Sequence, residues 1–158
     1  IPWQGLTHDL SKYSPTEFVP GALYYQGNRS PNERERELFG ASAAWMHHKG
    51  RNRHHFEYWT DVNPATKKYE PVEMPLRYVK EMFCDRVAAS KIYKGDAYTD
   101  DCALAYFLHS QARDNMHPKT AKLLRHWLEM LAREGEEKTF AHIRKIRHVR
   151  YGNTPGKE

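Results

Sequence analysis

Two helix starts written in the same chemistry set the class of this chain. Ser14-Pro15-Thr16-Glu17 and Ser30-Pro31-Asn32-Glu33 each place a capping serine before a proline at the first helical position and a glutamate at the third, a pattern that satisfies otherwise orphaned backbone donors. They predict one helix from Pro15 to about Tyr25 and a second from Pro31 to about Lys49, with Gly50 as a left-handed stop. Met74-Pro75 opens a third that ends near Lys94, before Gly95, and Thr99 caps a fourth through Phe107. His117-Pro118 begins a fifth that runs to Gly135, and a last helix covers Lys138 to about Val149. Thr60 to Glu73 reads as loop, and no strand-length alternation competes anywhere. The expected fold is therefore all-α, one helical domain over residues 1–150 with a flexible tail at 151–158.

Composition narrows the class of protein. A chain of 158 residues with 39% hydrophobic and 13% aromatic side chains can bury a real core. Cys84 and Cys102 fall in no CxxC spacing, so neither a disulfide framework nor a cysteine zinc finger is supported, and a reducing cytoplasm is the expected compartment. No apolar run is long enough to cross a bilayer and no signal peptide is visible, although the start at Ile1 points to residues upstream of it. A net charge of +5 is modest for a nucleic-acid binder.

Against that background the stretch HHKGRNRHHFEYW is unusual, because it sets His47, His48, His54 and His55 among one lysine and two arginines. At about 100° per residue, His48 extends the stripe of Ala41, Ala44 and Trp45 and points inward, whereas His47 follows the polar line of Arg36, Gly40 and Ala43. The helix after Pro75 sorts the same way. Arg77, Lys80, Cys84 and Lys91 form a polar stripe, Leu76, Val79, Phe83 and Val87 an apolar face, and Asp85 sits amid Tyr78, Met82, Ala88, Ala89 and Ile92. A carboxylate so placed is costly unless it is paired or binds a metal. The early pair His8-Asp9 adds a neutral nitrogen donor and a carboxylate able to bridge two ions.

In that order, H8-D9-L-S-K12, then His48 with the His54-His55 doublet and Glu57, then D85-R-V-A-A, the sequence resembles an HD-domain metal-dependent phosphohydrolase from Gly5 to about Lys94. More narrowly, HDLSKYSPTEF, WMHHKGRNRHHFEYW and DRVAASK resemble a small bacterial and phage family of unknown function placed near that superfamily. The resemblance implies an HD-domain-like helical bundle around one or two divalent ions, of which Mn, Fe, Ni, Co, Zn and Mg are not distinguished. Carried over by position, His8, Asp9 and Asp85 match the ligands of a single ion, and His48, His54 and His55 complete a second position. Two departures matter. The superfamily's first histidine precedes the His-Asp pair on a helix, so here it lies upstream of Ile1 or is absent. The short gap before the doublet also leaves one of His54 and His55 to orient its neighbour or touch substrate.

Such a centre activates a water for attack on phosphorus. Asp9 would bridge and, with Lys12, belong to the catalytic set, while Lys12, Lys49, Arg51 and Arg53 neutralise substrate phosphate. Asn52 and Glu57 are expected to orient imidazoles. The substrate is then a small phosphoester, by family analogy a nucleotide, and no membrane partner is expected. The competing class is a non-catalytic nucleic-acid or protein binding module whose histidines are structural or hold a stabilising metal. Its support is HIRKIRHVR, where Ile143, Ile146 and Val149 recur between Arg144, Lys145, Arg147 and Arg150, though such a segment more often docks by its isoleucines.

Overall fold

The computed structural model describes residues 2–27 and 29–147, the side chain of Pro2 excepted. Seven helices follow one another: α1 (Pro2–Leu6), α2 (Pro15–Leu23), α3 (Pro31–Phe39), α4 (Ala43–Lys49), α5 (Leu76–Lys94), α6 (Cys102–His109) and α7 (Pro118–Lys145). The fold is mostly α, as expected. Short 3-10 turns at Leu10–Tyr13 and Phe56–Tyr58 matter to the site. The tail expected at 151–158, with Val149 and Arg150, lies outside the described residues.

The predicted second helix is in fact two. Gly40 takes φ 77°, a left-handed conformation open to glycine, and stops α3. Ser42 then caps α4 by accepting from the Trp45 N–H at 2.9 Å, and the Glu35 carboxylate accepts from Ser42 Oγ at 2.6 Å and the Ala43 N–H at 3.1 Å. Gly50, by contrast, is right-handed at φ −74° and is no left-handed stop. The expected loop after Thr60 contains an antiparallel hairpin, β1 (Thr60–Val62) with β2 (Tyr69–Pro71), too short and too exposed to register as an alternating pattern. The fourth helix begins at Cys102 with Asp101, not Thr99, at its N-cap, and the Thr99 carbonyl accepts from the Cys102 N–H. Gly135, with φ 80° and ψ 172°, breaks α7 where the fifth and last helices were expected to meet.

The core lies between α5, α6 and α7. Val79, Phe83 and Val87 of α5 meet Phe107 of α6 and Leu124, Trp127, Leu128 and Leu131 of α7, all buried. Phe83 sets its ring edge-on to Trp127, with centroids 6.0 Å apart. Two side chains of α5 depart from the helical projection: Lys80 is buried, its Nζ donating to the Ile146 carbonyl at 2.8 Å, and Ile92 is exposed. Ile143 docks on the core while Arg144, Lys145 and Arg147 stay exposed. No helix among the described residues is long and apolar enough to cross a membrane.

Candidate metal centre

The backbone at Asp9 is the first clue to the site. It takes φ 56° and ψ 25°, a left-handed conformation that asparagine and aspartate tolerate better than other non-glycine residues. This kink, between α1 and the turn at Leu10–Tyr13, turns the buried Asp9 carboxylate inward. His48 comes from the last turn of α4, His54 and His55 from the segment that follows, and Asp85 from the middle of α5.

Six residues predicted from separate parts of the chain meet here. Asp9, His48, His54 and His55 each offer a donor atom within 4.8 Å of the others, and so do His8, Asp9, His54 and Asp85. The sets share Asp9 and His54. One imidazole nitrogen has a single lone pair and can serve one ion, whereas the two oxygens of Asp9 can serve both. Asp9 Oδ1 lies 3.3 Å from His48 Nε2 and 3.4 Å from His54 Nε2. Asp9 Oδ1 and His54 Nε2 are shut off from solvent yet have no hydrogen-bond partner among the described residues. The Nε2 atoms of His48 and His55 face each other at 2.8 Å, an arrangement that needs a shared proton or a shared cation. Orphaned buried donors and a mixed nitrogen and oxygen ligand set fit a divalent transition ion.

What aims the imidazoles was not foreseen. Glu17 Oε2 lies 2.7 Å from His48 Nδ1, and Glu17 Oε1 lies 2.6 Å from His47 Nδ1. Glu81 Oε1 lies 3.1 Å from His8 Nδ1 and 3.3 Å from His54 Nδ1, and its other oxygen accepts from the Gln4 amide. With Nδ1 donating to a carboxylate, Nε2 is left as the free donor toward the cluster. The pattern had assigned Glu17 to the cap of α2, but Ser14 makes no side-chain capping bond and Glu17 is buried against the histidines instead. Glu81 was legible, since it stands one helical turn before Asp85 and therefore on the same face.

The electrostatics follow from this crowding. The carboxylates of Asp85, Asp9 and Glu81 push the His8 imidazole up to about 11, against the opposing effect of burial. Burial, then the charges of His54 and His48, push His55 down to about 3. Burial opposes ionisation of Glu81, but hydrogen bonds from His54, His8 and Gln4 outweigh it and hold its pKa at about 2. Burial likewise opposes the Asp9 charge, and His8 and Lys12 hold that carboxyl well below the usual range.

The other expected site residues divide. Lys12 sets its exposed ammonium 2.5 Å from Asp9 Oδ2. Arg51, Asn52 and Arg53 line a cavity of about 450 Å³ that reaches His8, Asp9 and His54. The Asn52 amide donates to Ser11 Oγ and to the His48 carbonyl and lies 3.0 Å from His48 Nδ1, so it does hold that histidine. Glu57 makes no hydrogen bond to an imidazole among the described residues. It lines a cavity of about 580 Å³ that reaches His55 and Asp85. A third cavity, of about 620 Å³, holds Lys12 beside Asp9. Lys49 lines none of the three.

A family model, described as "Family of unknown function (DUF5662)", matches residues 1–130. The chain belongs to DUF5662. In this member of the family, every donor of the cluster, with Glu17 and Glu81, falls inside the matched residues. Comparison with curated proteins and with solved structures gives no match for the DUF5662 chain.

Proposed function

We propose that this chain is a metal-dependent phosphohydrolase of the HD-domain type, acting on a small phosphoester, a nucleotide by analogy, in the cytoplasm. The observation that carries the reading is the set of imidazole Nε2 atoms turned on Asp9 and Asp85, with the Nδ1 atoms of His8, His48 and His54 against Glu17 or Glu81. His8, Asp9 and Asp85 would hold one divalent ion, and His48 with His55 the other, with Asp9 common to both and His54 serving either. Bound divalent ions supply Lewis acidity, which lowers the pKa of a water for attack on phosphorus and neutralises phosphoryl charge.

The chain's own residues supply the rest. Lys12 holds its exposed ammonium beside Asp9, where it could meet a phosphoryl oxygen of a substrate bound at the cluster. Arg51 and Arg53 present cations along the cavity that reaches His8 and His54. Glu17 and Glu81 fix the tautomers, so no donor is lost to the wrong protonation. Cavities on several sides of the cluster favour catalysis over a closed stabilising site, which leaves no position for substrate.

The test joins two measurements. Elemental analysis of untagged protein should find one or two transition ions per chain, and a panel of nucleotides and p-nitrophenyl esters with Mn²⁺ should show hydrolysis. Absence of metal would sink both the catalytic and the stabilising reading. Metal without hydrolysis of any ester would leave only the latter.

A further inference from the structure

The cavity of about 580 Å³ runs between α5, α6 and the turn at Phe56–Tyr58, and it touches the metal cluster only through Asp85 and His55. It falls within the size range of small-molecule pockets. Trp45, Phe56, Tyr93 and Tyr106 set aromatic rings in its walls. Asp85 and Arg86 are consecutive on α5 and so diverge by about 100° around the helix, which sends one carboxylate toward the histidines and the next side chain elsewhere. The Arg86 guanidinium lies 6.0 Å from the centroid of Phe107.

Two atoms in this wall have nothing to bond. Arg86 Nε and Glu57 Oε2 are both shut off from solvent, and neither has a hydrogen-bond partner among the described residues, so neither satisfies the other. Native proteins seldom leave such groups unmade, and a donor and an acceptor left unmade in two residues that line one ring-walled cavity fit a ligand that completes both once the Arg86 and Glu57 side chains turn into it.

We infer that this cavity holds the organic part of the phosphoester, and that Arg86 and Glu57 read the edge of a planar nitrogen heterocycle, a nucleobase, on which a hydrogen-bond acceptor stands beside a donor. The inference rests on the phosphohydrolase reading for the phosphoryl end, which would sit at Asp85. Nucleobases carry this alternation on their edges and a π face for the aromatic walls. An aliphatic alcohol would leave both polar atoms unpaired, and a bare sugar would leave the rings unused.

The experiment measures binding to Mn²⁺-loaded protein by calorimetry, using non-hydrolysable methylenephosphonate analogues of adenosine, guanosine, cytidine and uridine monophosphates, with the matching analogue of ribose 5-phosphate and inorganic phosphate as references. At least one nucleotide should bind about tenfold or more tightly than ribose 5-phosphate. Arg86→Met and Glu57→Gln should each remove about that factor for the preferred base while binding of inorganic phosphate holds. Should Arg86→Met fail to fold, Ser90→Leu narrows the same cavity from α5 and should exclude the nucleotide alone. Equal affinity for every nucleotide and for ribose 5-phosphate overturns the inference, as does wild-type base preference in both charge variants. Metal content and ester hydrolysis, scored separately, report on the phosphohydrolase reading. Base-selective binding that depends on Arg86 in a protein without hydrolysis would leave this inference standing and remove that one.

Discussion

The Glu17 carboxylate stands 2.7 Å from Nδ1 of His48, so the imidazole presents its other nitrogen to Asp9. Glu81 does the same for His8 and His54 from α5. These contacts turn a group of histidines into an oriented donor set, and they give the first prediction. Glu81→Gln should weaken metal affinity by about 10- to 100-fold, since the loss of a carboxylate behind a ligating histidine has that order of effect. Competition titration against a coloured chelator measures it, and an unchanged constant would remove Glu81 from the centre.

Direct ligands should matter more than their neighbours. His8→Ala and Asp85→Ala should each lose most of the bound metal, whereas His47→Ala should lose little, because His47 meets Glu17 and belongs to neither donor set. Metal retained by both of the first two variants, in folded protein, would contradict the assignment.

The pH behaviour of metal-free protein has a definite sign. His8 has its pKa raised to about 11, so between the unfolded value of about 6.5 and about 11 the folded state holds the extra proton. Its stabilisation is complete below about 6.5 and fades as the pH climbs toward 11. His55 is lowered to about 3, so from about 6.5 down to about 3 the unfolded state binds the extra proton and stability falls with acid. Glu81, held at about 2, adds to the acid loss below the usual carboxylate pKa. Metal-free protein should therefore be most stable near about pH 6.5. An ion must displace the His8 proton, so metal affinity should rise with pH through the neutral range, by up to about tenfold per pH unit. Thermal melts across pH, with and without chelator, check both statements, and a melting temperature that keeps rising to pH 9 without metal would refute the first.

The break in α7 offers a test away from the centre. Gly135, at φ 80° and ψ 172°, occupies a region that is essentially glycine's alone, and an added Cβ would meet Asp100 Oδ2 at 3.5 Å. Gly135→Ala should cost about 1–3 kcal/mol of stability in denaturant titrations and leave metal content unaltered. A neutral substitution would mean that α7 can straighten through the break.

Much of the architecture was legible because proline, serine and glycine mark helix ends through local chemistry, as at Pro15, Pro31, Gly95 and Gly135. The division of α3 from α4 was missed because Ala41 and Ala43 continue a helical apolar pattern across it, while the stop depends on the φ of Gly40 and on Glu35 reaching back to Ser42 and Ala43. The cluster of side chains could be anticipated because each of its residues carries donor chemistry in its own side chain. Of the carboxylates behind it, Glu81 shares the helix face of Asp85, but Glu17 could not be read, for it has an adequate local explanation as a capping residue and its true partners lie thirty residues away. Lys80 illustrates the same limit, since only the tertiary position of the Ile146 carbonyl explains why an amine on a polar stripe is buried.

Among the described residues, the buried hydrophobic side chains lie from Met74 onward, with Ala44 the exception. What the earlier part of the chain buries is mainly Asp9, Glu17, Glu35, Ser42, His48 and His54. A layer with so little oil in it has small hydrophobic cohesion of its own, so an ion held by His8, His48 and His54 would act on it as a cross-link does in a cystine-rich miniature fold. Chelation should then loosen the first half of the molecule while the Trp127 half stays shut, and amide exchange would register the two halves as separate units.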